Sequence, residues 1–440
     1  MSQIADLPAG SAARHQAASP AVDPGRWPDV AAVPGSGVRA AVAQMLFARM
    51  AARLPLRVIT PAGRTSGAGG PGSPLLVLRR PADFHRRVGA GGLIGFGESY
   101  MAGDWDCDDL TGLLTVFAGR VDTLVPHWLQ PLRRLAVRPL PAADDGCEEG
   151  ARRNIRRHYD LSNDLFALFL DETMTYSAAV FDHDPGDGSA AKPGGGLAGD
   201  ARLLAQAQQR KIDRLLDLAR VGPSSRVLEI GTGWGELAIR AAARGAEVVT
   251  VTLSEEQRAL AARRIEHAGL GSRVNVELRD YRQVTGQFDA IVSVEMIEAV
   301  GGRYWPTYFA ALDRLLAPGG RVGLQSITMP HRRMLATRST HTWVLKYIFP
   351  GGLIPSVAAI EDNAARAGLR VAARRDFGAH YAETLRIWRE RFCARAPELT
   401  GLGFDEVFAR MWLLYLCYAE AGFRARSLDV SQFLLIKEAT

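Results

Sequence analysis

The segment Val227-Leu-Glu-Ile-Gly231-Thr-Gly233-Trp-Gly235 constrains the fold of this chain more than any other. A short apolar run leads straight into glycines at alternate positions, and a helical pattern over Glu236–Arg244 follows. Glycine lets a backbone turn tightly and approach a nucleotide-like ligand closely, so the pattern reads as a strand, a turn and a helix at the first crossover of a parallel sheet. No Lys-Ser/Thr pair follows, which excludes a phosphate loop. The βα alternation continues downstream. Strands are expected at Glu247–Thr252, Val274–Leu278, Ala290–Val294 and Arg321–Ile327, with helices at Glu255–His267 and Trp305–Leu316. Such alternation predicts an α/β domain with a mostly parallel sheet covered by helices on both faces.

The chain has 440 residues, long enough for two domains. Residues 1–37 are rich in Ala, Pro, Gly and Ser and read as a tail. A smaller domain is expected over 38–143 and the sheet domain over 144–440, with Pro126, Pro131, Pro139, Pro141 and the acidic run Asp144–Glu149 marking the boundary. Inside the sheet domain, residues 182–200 carry Pro185, Gly186, Gly188, Pro193 and Gly194–Gly196 and read as an exposed loop. In the smaller domain, Val38–Leu54 has a basic amphipathic pattern, with Val42, Met45, Leu46 and Met50 on one side and Arg39, Arg49 and Arg53 around the other. Its plain reading is packing against its own domain; its alternative is a membrane surface. Leu75–Leu78 reads as a strand and Pro81–Val88 as a helix.

Composition excludes several classes. The four cysteines, Cys107, Cys147, Cys393 and Cys417, are far apart and form no CxxC pair, so neither a zinc site nor a disulfide scaffold is expected, and a reducing cytoplasm suits them. No secretory signal and no membrane-spanning run is present. The net charge of +6 is too weak to argue for nucleic acid. The basic excess is uneven, because most of it lies in residues 1–143, where Arg133, Arg134 and Arg138 stand beside Trp128, Leu129 and Leu132. An anionic bilayer attracts such a surface.

The spacing G-x-G-x-G, with Glu229 two residues before the first glycine, resembles the first motif of class I methyltransferases that use S-adenosylmethionine (SAM). Further segments narrow the resemblance. Arg157-His-Tyr-Asp-Leu-Ser-Asn-Asp-Leu-Phe166, Asp171-Glu-Thr-Met-Thr-Tyr-Ser177, Lys346-Tyr-Ile-Phe-Pro-Gly-Gly352 and Phe377-Gly-Ala-His-Tyr-Ala-Glu-Thr-Leu385 resemble the cyclopropane-fatty-acyl-phospholipid synthases, as does the terminal Met411-Trp…Ala421-Gly-Phe-Arg424. Upstream, Gly95-Phe-Gly-Glu-Ser-Tyr-Met-Ala-Gly-Asp-Trp105 looks like the N-terminal lipid-binding domain of the phospholipid-acting members. The resemblance covers Pro74 to the C-terminus. It implies a Rossmann-like, mostly parallel seven-stranded sheet with a smaller α+β lipid-binding domain, located in the cytoplasm and peripheral at the inner face of the membrane.

It also implies a chemistry: the alkene of a membrane acyl chain attacks the SAM methyl group, and a bound bicarbonate then removes a proton. Carried over residue by residue, the SAM contacts fall on Tyr176, Ser177, Gly231, Thr232, Gly233, Trp234, Gly235, Thr252, Leu253, Gln257, Asp280 and Tyr281. At the end of the second strand, where such sheets usually place Asp or Glu, Thr252 and Gln257 have to supply the polar contacts. The catalytic set is Glu298, Tyr381 and Gln325, and the anion site comprises Ala178, Glu298, Gln325, Ile327 and Tyr381.

Three positions depart from the family pattern. Ala178 stands for the usual Cys, Gln325 for the usual His, and Ala419 for a further Cys. Ala178 keeps its backbone N–H, whereas Gln325 donates a hydrogen bond but does not titrate near neutral pH. The motif Val294-Glu-Met-Ile-Glu-Ala-Val-Gly301, Gln325 and the run Ile327–His331 resemble the branch that makes 10-methylene acyl chains, precursors of 10-methylstearate, from oleoyl phospholipid. That branch works with a separate flavin- or NADPH-dependent reductase, and a homodimer is a further expectation. The alternatives are a cyclopropane product, a catalytically silent lipid-binding homologue that retains SAM, and a small-molecule methyltransferase. Taken alone, Glu298 reads equally as an ordinary polar residue at a strand end, Tyr381, His380 and His158 read more readily as packing or hydrogen-bonding residues than as catalysts, Arg152–Arg157 as a solvated helix face, and Trp343, Tyr347 and Phe349 as core.

Overall fold

The computed structural model describes residues 20–120, 150, 162–182 and 196–437. The proline-rich boundary at 126–149, the basic cluster at 128–138, Arg152–Arg157, His158 and the breaker residues 183–195 lie outside the described residues. Two compact units are present, residues 1–137 with 396–425, and residues 138–395 with 426–440.

The larger unit holds a seven-stranded sheet. Its strands, numbered with those of the smaller unit, are β5 Arg226–Ile230, β6 Glu247–Thr252, β7 Val274–Leu278, β8 Phe288–Val294, β9 Leu316–Thr328, β10 Leu369–Asp376 and β11 Asp429–Lys437. Their order is β10-β11-β9-β8-β5-β6-β7, parallel throughout except that β11 runs antiparallel to both its neighbours. Side chains alternate across the sheet with the period of two that a strand dictates. Leu228, Ile230 and Ile291 pack on one face with Tyr308, Phe309 and Leu312 of helix Trp305–Leu315. Val227, Ala290 and Val292 pack on the other with Leu215 and Leu216 of helix Gly196–Leu218 and Leu237, Ala238 and Ala241 of helix Glu236–Ala243. Both faces are buried, so the central strands read as continuous apolar runs. Strand order reverses between β5 and β8, and the carboxyl ends of strands at such a point border a binding crevice.

The sequence expectations for β5 to β9 and their helices match in kind, with end shifts of a few residues. One expectation differs at residues 196–200. They open helix Gly196–Leu218 instead of completing a loop, because Leu204, Ala205 and Ala207 already bury one helical face there.

The smaller unit has a four-stranded sheet of order β2-β1-β3-β4, from β1 Arg57–Ile59, β2 Thr65–Ser66, β3 Leu75–Leu78 and β4 Trp105–Cys107. Two of its features depart from the sequence reading. Residues 20–37 are not all tail: Val30 is fully buried, and Trp27 Nε1 donates to Asp405 Oδ2 at 2.8 Å. Residues 396–425 belong with the N-terminal residues and not with the sheet domain. Arg410 of helix Glu406–Arg424 ties this together, donating to the carbonyls of Tyr100 and Trp105 and to Asp106 Oδ1 at 2.7 Å. Helix Gly37–Ala51 turns Ala43 and Ala51 inward and leaves Val38, Val42, Met45 and Leu46 80%, 47%, 46% and 39% exposed.

The motif Gly95–Trp105 has a structural explanation. A Cβ on Gly95 would lie 1.9 Å from the Arg87 carbonyl oxygen, so only glycine lets helix Leu93–Met101 close on helix Pro81–Gly91. Asp104, fully buried, accepts from Arg80 Nε at 2.8 Å and from the equally buried Arg87 Nε at 3.0 Å. Removing one partner of a buried ion pair strands the other. Asp104→Ala is therefore expected to destabilise the smaller unit by about 3–5 kcal/mol, measured by denaturant unfolding of the full chain.

Candidate active site

The glycine turn after β5 has the backbone its sequence implies: Gly231, Gly233 and Gly235 take φ of 98°, 51° and 91°. A Cβ on Gly233 would meet nothing within 4 Å, so the turn opens onto free space, whereas one on Gly235 would press on Ala261 at 3.1 Å. Gly233 thus serves close approach of a ligand, and Gly235 serves packing. Beneath the turn Thr250 Oγ1 bonds both Thr232 Oγ1 at 2.7 Å and Glu229 Oε2 at 2.6 Å. Burial pushes the Glu229 carboxyl up to about 8. Trp234 is held by Asn163 Oδ1 at 2.7 Å and packs on Phe166, which meets Tyr176; Tyr176 in turn packs on Trp388 with ring centroids 5.2 Å apart. At the end of β6, Thr252 Oγ1 donates to Gln257 Oε1 at 2.9 Å, leaving the amide nitrogen of Gln257 as that side chain's donor end. Leu253 beside them is half-buried. Asp280 is buried and spends both carboxylate oxygens on Arg282, and Tyr281 packs edge-on against Tyr308. An open glycine turn, an aromatic wall and neutral polar groups suit SAM, whose sulfonium favours aromatic faces.

The other sequence-expected residues converge where β8 and β9 end, but on a carboxylate that the sequence reading missed. Glu295 Oε1 accepts from the Ala178 backbone N–H at 3.0 Å and from Gln325 Nε2 at 2.8 Å, and Oε2 accepts from the Tyr381 hydroxyl at 2.7 Å. Glu298, three residues on, is held separately. Its Oε1 accepts from the Ile327 backbone N–H at 2.5 Å and the Ser326 hydroxyl at 2.9 Å, while its buried Oε2 has no partner among the described residues. The expected anion site of Ala178, Glu298, Gln325, Ile327 and Tyr381 thus divides in two: three of these residues serve Glu295, and Ile327 serves Glu298.

Each donor is itself positioned. Gln432 Nε2 donates to Gln325 Oε1 at 3.0 Å, which aims the amide nitrogen of Gln325 at Glu295, and Arg214 Nε fixes Gln432 through its Oε1 at 2.6 Å. Ala178 lies in a segment clamped to helix Gly378–Ala394, with Ala179 N–H donating to Thr384 Oγ1 and Phe181 N–H to His380 Nδ1, both at 3.1 Å. His380 is thereby a structural acceptor. The loop Lys346–Gly352 leads to Leu353, whose N–H donates to the Glu298 carbonyl at 2.8 Å and fixes that turn. Trp343 is buried, and Tyr347 and Phe349 are half-buried.

The charges are settled by burial. Lys211, 1% exposed, donates to Ser177 Oγ at 2.7 Å; desolvation lowers it to about 8, opposed first by Glu295 and then by Asp171 and Glu229. Desolvation raises Glu295, and bonds from Tyr381 and Ala178, then Lys211, oppose the rise. Desolvation and then the neighbouring Glu295 push Glu298 up to about 8. Two neighbouring carboxyls avoid ionising together, and Glu295, with three donors against two for Glu298, is the better placed to carry the charge.

The resemblance to cyclopropane synthases implies a bicarbonate here, and the residues do not fit one. Ala178 N–H, Gln325 and Tyr381 are already engaged by Glu295, so a free anion would have to displace that carboxylate or sit against its charge.

Sheet order, the antiparallel β11 and the glycine turn after β5 define a class I SAM-dependent methyltransferase. Solved structures agree: the cyclopropane synthase MmaA2 from Mycobacterium tuberculosis superposes with a TM-score of 0.57 at 30% identity, covering 65% of this chain and 98% of that one. The mycolic acid cyclopropane synthase CmaA1 complexed with SAH and CTAB gives 0.56 at 29% identity, covering 64% and 97%. The model of the mycolic acid cyclopropane synthetase family matches residues 148–433, and the chain belongs to that family. Among its relatives, the tuberculostearic acid methyltransferase UfaA1 of Mycobacterium tuberculosis is 56% identical over 96% of this chain and 98% of its own. The cyclopropane-fatty-acyl-phospholipid synthase of Escherichia coli is 36% identical over 82% and 87%.

A protonated Glu298 has a direct signature. The folded state holds a proton that an unfolded glutamate releases near 4.5, so stability falls as pH rises from about 4.5 to about 8. Glu298→Gln is expected to reduce that slope by one carboxyl, the share of Glu229 remaining, measured by denaturant unfolding across pH. It is also expected to weaken the protonated-carboxyl infrared band that the native chain shows at pH 7, the part from Glu229 remaining.

Proposed function

We propose that this protein transfers the SAM methyl group to the double bond of an unsaturated acyl chain of a membrane phospholipid, converting oleoyl to 10-methylene-octadecanoyl, a precursor of 10-methylstearate. The observation that carries this reading is the buried polar cluster at the ends of β8 and β9, where proton acceptors stand beside an aromatic wall and the open glycine turn. The full-length similarity to a tuberculostearic acid methyltransferase supports the acyl substrate and the product. A catalytically silent role is disfavoured, because a lipid carrier gains nothing from two half-buried adjacent carboxyls and a buried lysine.

Bound SAM supplies an electrophilic methyl group on a sulfonium. The chain's residues exclude water and hold charge around it. Tyr176, Trp234, Phe166 and Trp388 form the aromatic wall, which tolerates cationic centres. Gly231 to Gly235, Thr252, Gln257 and Ser177 line the SAM side. As the alkene carbon bonds to the methyl group, the bond from that methyl to sulfur breaks, S-adenosylhomocysteine is the leaving group, and the positive charge moves onto the acyl chain. A hydride shift moves the cation to the methylated carbon, and loss of a methyl proton leaves an exocyclic methylene. Saturation of that alkene needs a reductant, so a separate flavin- or NADPH-dependent reductase completes the path to a methyl branch.

None of the described helices is long and apolar enough to cross a membrane. Access to phospholipid then requires docking at the bilayer surface, on its cytoplasmic face. The exposed Val38, Val42, Met45 and Leu46, on the same helix as Arg39 and Arg49, support docking through the smaller unit.

The reaction is tested by incubating the protein with oleoyl phospholipid vesicles and methyl-deuterated SAM, then analysing the fatty acid methyl esters by mass spectrometry and NMR. Deuterated vinylidene signals are expected. Cyclopropane signals assign the ring-forming reaction of the Escherichia coli relative instead, and absence of label in lipid refutes both. Docking is tested by vesicle flotation. Binding to anionic vesicles is expected to weaken with salt, and replacing Val42, Met45 and Leu46 by serine is expected to weaken it by about tenfold or more.

A further inference from the structure

We propose that Glu295 is the base of this reaction, its own carboxylate standing where the family resemblance calls for a bicarbonate. The inference rests on the acyl methyl transfer proposed above. Its starting point is geometric: the Ala178 N–H, the Gln325 amide and the Tyr381 hydroxyl close around a side chain of this chain and not around a free anion.

Backbone conformation supports the assignment. Glu295 has φ of 50°, in the left-handed region that favours glycine and strains other residues. Its backbone N–H donates to the Gln325 carbonyl at 2.8 Å, so strand β9 holds both ends of the residue. A half-buried glutamate in a strained turn persists where its surroundings over-determine it, and such positions cluster at sites of function. The left-handed turn is what carries the side chain back toward Ala178 and Tyr381.

The two oxygens differ. Oε1 is saturated by Ala178 N–H and Gln325, whereas Oε2 takes one hydrogen bond, from Tyr381, and keeps a lone pair. Oε2 is therefore the acceptor. The proton leaves the methyl carbon for Glu295 Oε2, and the C–H electron pair becomes the new C=C bond. The positive charge on the acyl chain and the negative charge on Glu295 are lost together, and the proton passes to solvent on product release. Lys211, Tyr381 and Glu298 are the titratable groups that act on this carboxylate, and Asp171 and Glu229 act in turn on Lys211. Glu298, kept neutral, avoids competing for the same charge.

Three full-length proteins test this: the native chain, Glu295→Gln and Glu295→Gly, the last suited to a positive φ. Each is titrated with [13C]bicarbonate by NMR and with S-adenosylhomocysteine by calorimetry, then assayed in carbon-dioxide-free buffer with oleoyl vesicles and methyl-labelled SAM. The native chain is expected to bind no bicarbonate and to lose no activity without it. Glu295→Gln is expected to bind S-adenosylhomocysteine normally and to transfer methyl about 100-fold or more slowly. Glu295→Gly opens the anion site, and bicarbonate or formate is expected to bind and to restore turnover. Bicarbonate binding by the native chain, activity that requires it, or full activity of Glu295→Gln overturns the proposal. Absence of methyl transfer by the native chain to any lipid overturns the proposed reaction itself, and the base assignment with it.

Discussion

A half-buried carboxylate among buried neighbours must be surrounded by donors, and that requirement organises the larger unit around Glu295. An isolated buried charge is prohibitive in a medium of low dielectric, and it persists only with hydrogen bonds and a compensating cation. Four separate pieces of chain meet the need: the segment through Ala178, strand β9 through Gln325, helix Gly378–Ala394 through Tyr381, and helix Gly196–Leu218 through the cation of Lys211. None of these contacts is local in sequence. The site therefore exists only in the assembled fold, and its donors are placed by elements whose apolar faces already pack on the sheet.

The second carboxyl shows how the pocket avoids a doubled charge. Glu298 lies three residues from Glu295 and is likewise half-buried, yet it receives fewer donors and leaves one oxygen unpartnered among the described residues. A proton is a cheaper partner there than another cation. The pair then behaves as a dyad with one proton between two roles, the environment setting which member is the base. Lys211 belongs to the same balance: desolvation lowers it, while Glu295, Asp171 and Glu229 hold it cationic.

Much of this was legible in the sequence, for reasons that differ between residues. The glycine turn, the βα alternation and the strand ends follow from period and composition, because both faces of the sheet are buried. Ala178, Gln325, Ile327 and Tyr381 could be placed by resemblance, since their motifs are long and specific. Glu295 could not. It stood inside the motif Val294–Gly301, but attention to positions carried over from relatives selects the acid they share and passes over an acid three residues earlier. The spacing was the available signal: two acids in one tight turn at a carboxyl strand end. Lys211 gave a weaker one, a lysine kept on an apolar helix of an arginine-rich chain. Gln432 gave none, because its role depends on strand register. The helix Glu406–Arg424 was assigned to the wrong unit for a related reason: proximity in sequence to β11 says nothing about which core its apolar face enters, and Arg410 decides it.

Register also explains why the antiparallel strand matters to a site otherwise built at parallel strand ends. In a parallel neighbour, a residue deep in β9 would face another apolar side chain. Strand β11, inserted between β9 and β10, places Gln432 directly opposite Gln325. A neutral amide has two chemically distinct ends, and which end faces the carboxylate decides whether the contact attracts or repels. Gln432 fixes that choice by donating to the oxygen end of Gln325, and Arg214 fixes Gln432 in turn. A histidine at position 325 would bring a titrating ring to the same place, and its protonation would follow pH. The glutamine removes that titration and leaves proton transfer to the carboxylate alone. With the base built into the chain, the group beside it has only to hold it still, and a correctly aimed amide does so at any pH at which the fold persists.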